Sequence, residues 1–345
     1  MEILPCSFQM RMKINDIACY LPQNRLTSAD LSALNQGWDM EKIEDKTGVL
    51  TRRVSDAKET SLDMGVLACN KLFDQNPGLY EKIDSILFCT TTPDYLFPQN
   101  SYILHKELNF PHTVFCLDIG LACSGFVYSL AVAKGLIATG VAKNILIVTA
   151  ESLTKFIHDQ DRACKPLFSD GASATWVSAS QSSRGIIDMD FGAMGKAYDA
   201  VYIPAGLCRM PVSEETKRQT IDESGNIRTP ENLSLDGKRL MAQVGSHIPR
   251  QVRMLLNRNH LSMDDIDLFV FHQGSKLILD SLQRLLRIPP EKNFRNYQYI
   301  GNTSSSSIPM ALREALDQEI IKSEDRVLIS GFGSGFSWGT AILEI

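Results

Sequence analysis

The sequence predicts an α/β fold made of two related halves. Short apolar runs alternate with longer stretches of helical spacing, and the same order of runs comes twice at a nearly constant separation. At 345 residues the chain is long enough to bury a sizeable core in each half.

In chain order, SILFCTTT (85–92) is apolar without polar alternation, as a strand covered on both faces should be. TVFCLDI (113–119) and NILIVTA (144–150) read as buried strands for the same reason. Between them, SYILHKEL and CSGFVYSLAVAKGLIATG have helical spacing. In the second of these, Phe126, Leu130, Ala133 and Ile137 fall on one face, and Gly140 stops the helix. Later, DLFVF (267–271) and RVLISGFG (326–333) read as strands, and WGTAILEI as a closing strand. SKLILDSLQRLL and SIPMALREALDQEI read as helices. EKIDSILF aligns with DDIDLFVF through Asp84 and Asp267, a separation of 267 − 84 = 183. NILIV aligns with DRVLI through Ile145 and Val327, a separation of 327 − 145 = 182. Agreement within one residue points to an internal duplication, with halves 1–183 and 184–345. The segment 205–240 breaks the pattern with Gly, Pro and charge throughout. It reads as a surface excursion, because a helical pattern, MAQVGSHIPRQVRMLL, resumes at once.

The net charge of -5 speaks against nucleic acid or an anionic membrane as the main partner. No apolar run is long enough to span a bilayer. The start, MEILPCSFQMRMK, lacks the apolar core of a secretory leader, so a cytoplasmic protein is expected. Of eight cysteines, no two have the C-x-x-C spacing of zinc or redox sites. Most read as small buried thiols in a reducing compartment. No metal and no organic cofactor are expected.

Four segments are candidates for chemistry. Cys123 lies between a strand ending near Ile119 and a helix that begins GFVYSL. A thiol there faces unpaired N–H groups and the positive end of the helix dipole, which favour thiolate. Its small neighbours Ala122, Ser124 and Gly125 leave room for another molecule, and its own N–H could serve an oxyanion. Position alone leaves packing and reactivity evenly balanced. His272 follows DLFVF and so sits at the C-terminal end of a strand, where chemistry in α/β sheets gathers. Asn302, after Gly301 in GNTSSSSIP, is either turn chemistry or an amide donor beside the thiol. GFGSGFSWG (331–339) is not a dinucleotide loop, because a strand follows it and not a helix. A glycine-rich bend between strands, suited to close approach, is the better account.

With these segments in place, the sequence resembles the β-ketoacyl-acyl carrier protein synthase III family of thiolase-fold condensing enzymes. DIGLACSGF resembles the family's nucleophile motif, FHQGSKLI its histidine motif, GNTSSSSIP its asparagine motif and GFGSGFSWG its C-terminal glycine motif. KPLFSDGASA resembles a further segment, usually with glycine where Ser169 stands. The four motifs come in the family's order over nearly the whole chain.

The resemblance implies a thiolase-like, five-layered αβαβα fold of two duplicated halves, working as a homodimer. The first half would carry the nucleophile Cys123, and the second His272 and Asn302. The N–H of Cys123 and of Ser334, where the family usually has glycine, would form the oxyanion hole. Phe332 and Phe97 would shape the acyl pocket, Phe97 by reaching into the partner subunit. Lys46, Arg162 and Lys276 would meet the thioester's pantetheine arm. An acyl group from acyl-CoA or an acyl carrier protein would pass to Cys123 and condense with a malonyl carrier protein. Lys42 and Lys46 stand where the family's coenzyme A clamp usually has tryptophan and arginine, and a lysine cannot stack as an indole does. The histidine motif reads His272-Gln273-Gly274-Ser275 where the family usually has His-Gln-Ala-Asn. These changes suggest a specialised lipid, polyketide or surface-glycan pathway. The alternative on the same fold is acyl transfer to a hydroxyl or amine. A cysteine hydrolase would share the Cys…His…Asn order but lacks a matching local signature. Lys276, Arg284 and Arg287, with Lys238, Arg239, Arg250 and Arg253, are candidates for docking an acidic carrier protein.

Overall fold

Two mixed β-sheets face each other across a pair of helices in the computed structural model, which describes residues 11–180 and 184–345. Cys6, most of the start segment and the expected division at 183/184 lie in or against residues outside this set.

The first sheet has the strand order Arg11–Tyr20, Gly171–Ser180, Asn144–Glu151, Ser85–Cys89, Phe115–Ile119. The second has Leu268–Phe271, Arg326–Gly333, Ser337–Glu344, Gly185–Ala193. Each holds a parallel pair, with Ser85 opposite Ile145 in one and Leu268 opposite Val327 in the other. These are separations of 268 − 85 = 183 and 327 − 145 = 182, the register of the sequence alignment. In the second sheet, the place of Phe115–Ile119 is taken by one parallel bridge between Phe269 and Asn293.

The strands alternate strictly between two cores. Leu87, Ile145 and Ile147 point to the middle of the molecule, while Ile86, Phe88, Leu146 and Val148 point outward. Both faces are covered, which explains why these strands lack polar alternation. The helices Gly125–Ala138 and Ser307–Asp317 fill the middle, and Phe126, Leu130, Ala133 and Ile137 form the buried face the spacing predicts. They pack against the first sheet on one side and against Val270, Val327 and Ile329 of the second on the other. Helices Ser61–Gln75 and Asn100–Glu107 cover the outer face of the first sheet, and Gly237–Arg258 and Lys276–Leu286 that of the second. The result is the five-layered αβαβα order.

The strand at 115–119 differs from its reading as buried. It ends the first sheet, and Phe115 and Leu117 are each 38% exposed because no strand among the described residues pairs along that edge. The segment 205–240 is also more than surface. It forms the two-residue ladders Thr220–Ile221 with Ile227–Arg228 and Ser234–Leu235 with Val201–Tyr202, and it walls a cavity. Among the described residues, no helix is long and apolar enough to cross a membrane.

The middle layer sets the distance between the sheets, so it should be the least tolerant of loss. Phe126→Ala removes a wholly buried ring there. The expected cost is about 3–5 kcal/mol, read as a lower midpoint in chemical denaturation. A cost below about 1 kcal/mol would show that the layer does not depend on it.

Candidate active site

A cavity of about 1430 Å³ opens between the two halves, and Cys123, His272, Asn302, Ser304, Phe332 and Ser334 all line it. The residues singled out in four distant segments thus meet in one place.

Cys123 lies in a turn closed by the Gly125 N–H donating to Ala122 O at 2.7 Å, just before the helix begins at Gly125. The glycine motif is a hairpin bend, with Gly333 paired to Ser337. It presses directly on the cysteine. A Cβ at Gly333 would lie 2.8 Å from Cys123 Cβ and 2.9 Å from Sγ, and one at Gly331 would lie 2.7 Å from Cys123 O. Only glycine permits that approach.

The placement before a helix was expected to favour thiolate. Burial outweighs it and pushes the Cys123 thiol up to about 12. The Ser304 hydroxyl, 3.8 Å from Sγ, and the N–H groups of Cys123 and Ser334 pull the other way, while the charge of Glu151 adds to the rise. The resting thiol is therefore protonated.

His272 follows Leu268–Phe271 as expected and is 3% exposed. Its N–H donates to Ser330 O at 2.8 Å, Nδ1 meets the Ser307 hydroxyl at 2.7 Å, and Phe332 stands edge-on at 5.8 Å. Burial pushes the imidazole down to about 3, so the ring is neutral. A Ser307 hydroxyl donating to Nδ1 would leave the proton on Nε2. Gly274 matters here, since a Cβ on it would lie 3.3 Å from Nε2.

Asn302 is held on several sides. Its N–H donates to Leu167 O at 3.0 Å, and its carbonyl accepts from the Ser169 N–H at 2.9 Å. Oδ1 accepts from the Ser304 N–H at 2.9 Å, and Nδ2 reaches Gly274 O at 3.4 Å. That leaves one amide hydrogen of Nδ2 uncommitted. Ser169 Oγ also accepts from the Arg53 N–H at 3.0 Å, so the serine in place of glycine is used. Arg52, wholly buried, donates to Pro166 O and Val49 O at 2.6 Å each and so fixes the segment that carries Asn302's partners.

Of the expected thioester contacts, Lys46 and Arg162 line the cavity and Lys276 does not. Lys276 Nζ turns to Asp45 O at 3.3 Å and to Asp280 at 3.8 Å. Lys42 lines the mouth, paired to Asp39 at 2.9 Å. Phe97 is 77% exposed and does not line this chain's cavity, whereas Leu96 and Tyr95 do. Sequence reasoning missed Arg209 and the apolar wall of Leu207, Met210 and Leu235, since the segment 205–240 has no periodicity to place it, and Lys238, read as a docking residue, lines the cavity. It also missed Glu151, whose only signal is a charge ending an apolar strand. Of the described cysteines, Cys69, Cys89 and Cys164 are buried, Cys19, Cys116 and Cys123 are partly so, and Cys208 is exposed, so fewer are buried than expected.

Glu151 is wholly buried and accepts from the Thr91 N–H and hydroxyl, the Thr92 hydroxyl and the Ser305 hydroxyl. It ties the cavity segment at Thr91 to the Asn302 turn. Burial raises its carboxyl to about 7, against those hydrogen bonds. The folded state therefore keeps a proton that the unfolded chain loses near the ordinary 4.5. This favours folding fully below about 4.5, and the contribution is lost as pH rises through about 7. Glu151→Gln stays neutral, so its Tm relative to the natural protein should rise between pH 5 and pH 8. A difference that does not change with pH would mean a carboxylate already charged at pH 5.

Comparison with known proteins agrees with this geometry. Residues 117–195 match the family model "3-Oxoacyl-[acyl-carrier-protein (ACP)] synthase III", and residues 256–345 match the model of its C-terminal part. The β-ketoacyl-[acyl-carrier-protein] synthase III of Caldanaerobacter subterraneus is 32% identical over 325 residues, 94% of this chain and 95% of that protein. A 3-oxoacyl-(acyl-carrier-protein) synthase III crystal structure superposes with a TM-score of 0.94 at 37% identity, over 97% of this chain and 100% of the other. The β-ketoacyl synthase III of Thermus thermophilus gives 0.86 at 31%, over 96% and 99%. A chain with this fold, these motifs in one cavity and this likeness along its length belongs to the β-ketoacyl-[acyl-carrier-protein] synthase III family of thiolase-fold condensing enzymes.

Proposed function

We propose that this chain joins an acyl group on Cys123 to a malonyl carrier protein by decarboxylative Claisen condensation, in a specialised lipid, polyketide or surface-glycan pathway of the cytoplasm. The convergence of Cys123, His272 and Asn302 on one cavity carries the reading. In the first step, the Cys123 sulfur attacks the primer thioester, and the thiol proton ends on the departing thiol. The developing oxyanion is held by the N–H groups of Cys123 and Ser334. In the second, CO₂ leaves the malonyl group. The enolate oxygen is held by two neutral donors, His272 Nε2–H and Asn302 Nδ2–H. The enolate carbon attacks the acyl carbonyl, the Cys123–acyl bond breaks, and one proton from solvent restores the thiol. A neutral imidazole supports this role, because the charge it meets is transient and negative.

The specialised pathway rests on the altered clamp. Lys42 is tied to Asp39 and carries no ring to stack on a nucleotide base. The cations lining the mouth, Lys46, Arg162, Arg209 and Lys238, suit a phosphate on the pantetheine arm. Lys276, Arg284 and Arg287 remain candidates for the carrier's docking face. We also assign 1–183 and 184–345 as two halves of one duplicated unit, on the matching strand order.

Intact-mass spectrometry with a panel of acyl-CoA and acyl-carrier thioesters tests the first step. Cys123 should gain the acyl mass, and Cys123→Ala should not. His272→Ala and Asn302→Ala should still be acylated but lose malonyl-dependent CO₂ release about 100-fold or more. Free acid released without an acceptor would indicate hydrolysis. Acyl transfer to a hydroxyl or amine without CO₂ release would indicate the other transferase. Full activity with acetyl-CoA would remove the specialised pathway.

The homodimer is a separate matter. The uncovered edge strand Phe115–Ile119 and exposed Leu96, Phe97 and Tyr102 support a second copy seated there, with Phe97 entering its acyl pocket. Light scattering should give about 77 kDa, twice the 38.4 kDa of one chain. Phe97→Ala should change the preferred primer and not the mass. A single-chain mass would exclude the shared pocket.

A further inference from the structure

We infer that the Ser334 hydroxyl is a positioning group for acyl transfer, anchoring the oxyanion bend to the wall of the substrate cavity. The inference rests on the condensing reading above. Its basis is a set of tethers on a bend that glycine would otherwise leave loose. Ser334 Oγ–H donates to Val201 O at 2.9 Å. Ser337 Oγ donates to Ser334 O at 2.9 Å and meets Ser124 Oγ, beside the nucleophile, at 2.8 Å. The Met194 N–H closes on Phe336 O at 2.8 Å. The bend itself contains Gly335 at φ 116, a conformation that side-chain-bearing residues rarely adopt.

Val201 is not an arbitrary anchor. The strand Val201–Tyr202 pairs with Ser234–Leu235, and all four residues line the cavity. A thioester arm lying in the cavity would therefore press on the wall to which Ser334 is bonded. The hydroxyl faces Val201, while the N–H of the same residue acts on the Cys123 sulfur. Ser334 thus works through its own backbone. Loss of the hydroxyl should leave thioester binding intact and loosen the N–H that must meet the oxyanion and the thiolate.

The test uses full-length protein with Ser334→Ala and Ser334→Thr, and with Ser337→Ala to loosen the bend from its other side. Single-turnover acylation is followed by intact mass at varied thioester concentration. The rate of Cys123 alkylation by iodoacetamide at one fixed, mildly alkaline pH is recorded beside it. Ser334→Ala should lower the maximal acylation rate about tenfold, from the loss of one oriented hydrogen bond, with half-saturation within about twofold. Its alkylation at the same pH should slow. Ser334→Thr should restore both, and Ser337→Ala should reproduce the loss. Natural acylation and alkylation rates in Ser334→Ala would overturn the proposal, as would a threonine variant as slow as the alanine one. If the natural protein accepts no thioester, the condensing reading fails. The alkylation rate needs no thioester and still decides the role of Ser334.

Discussion

Cys123 and the bend at Gly331–Gly333 lie so close that neither glycine has space for a single methyl group. The cysteine hangs from the first sheet and the bend from the second, so the contact joins the halves at the point where chemistry happens. Keeping it requires a fixed distance between two sheets. The helices Gly125–Ala138 and Ser307–Asp317 provide that distance, and each begins just after a site segment, at Cys123 and at the Asn302 turn. The buried face that stabilises the middle layer is thus continuous with the loops that carry the nucleophile and its partners. Packing and chemistry share one scaffold.

Burial sets the charge state of the site as well as its shape. It holds the thiol protonated and the imidazole neutral, and it lifts Glu151 towards neutrality. A site with few fixed charges near the sulfur suits a reaction whose negative charge is transient and passes between two oxygens. The donors that would meet those oxygens are backbone N–H groups, an amide and a neutral ring. Each is held by further hydrogen bonds: Asn302 by Leu167, Ser169, Ser304 and Gly274, and His272 by Ser307. Such donors do not have to reorganise when the charge develops.

Much of this was legible in the sequence, for identifiable reasons. The central strands and helices carry strong apolar patterns because both faces of each sheet are covered, and the 182–183 separation reappears as the pairing register Ser85–Ile145 and Leu268–Val327. His272 could be located because a short apolar run ends just before it. The strand at 115–119 was misread because its composition matches its buried neighbours and its edge position is a property of sheet order. The thiol was expected to be acidic because a helix start is visible in sequence and the depth of burial is not. The resemblance implied Lys276 at the pantetheine arm, but its side chain turns to Asp45.

The sequence by itself determined the α/β class, the twofold order of elements and the residue types available for chemistry, because these follow from local spacing and side-chain chemistry. Only the tertiary structure decided that Cys123, His272 and Asn302 share one cavity, that the segment 205–240 walls it, and that the thiol rests protonated. It also decided that Ser334 is bonded to Val201. These depend on contacts between residues far apart in the chain and on how much water they exclude, and neither is written in any one stretch of sequence.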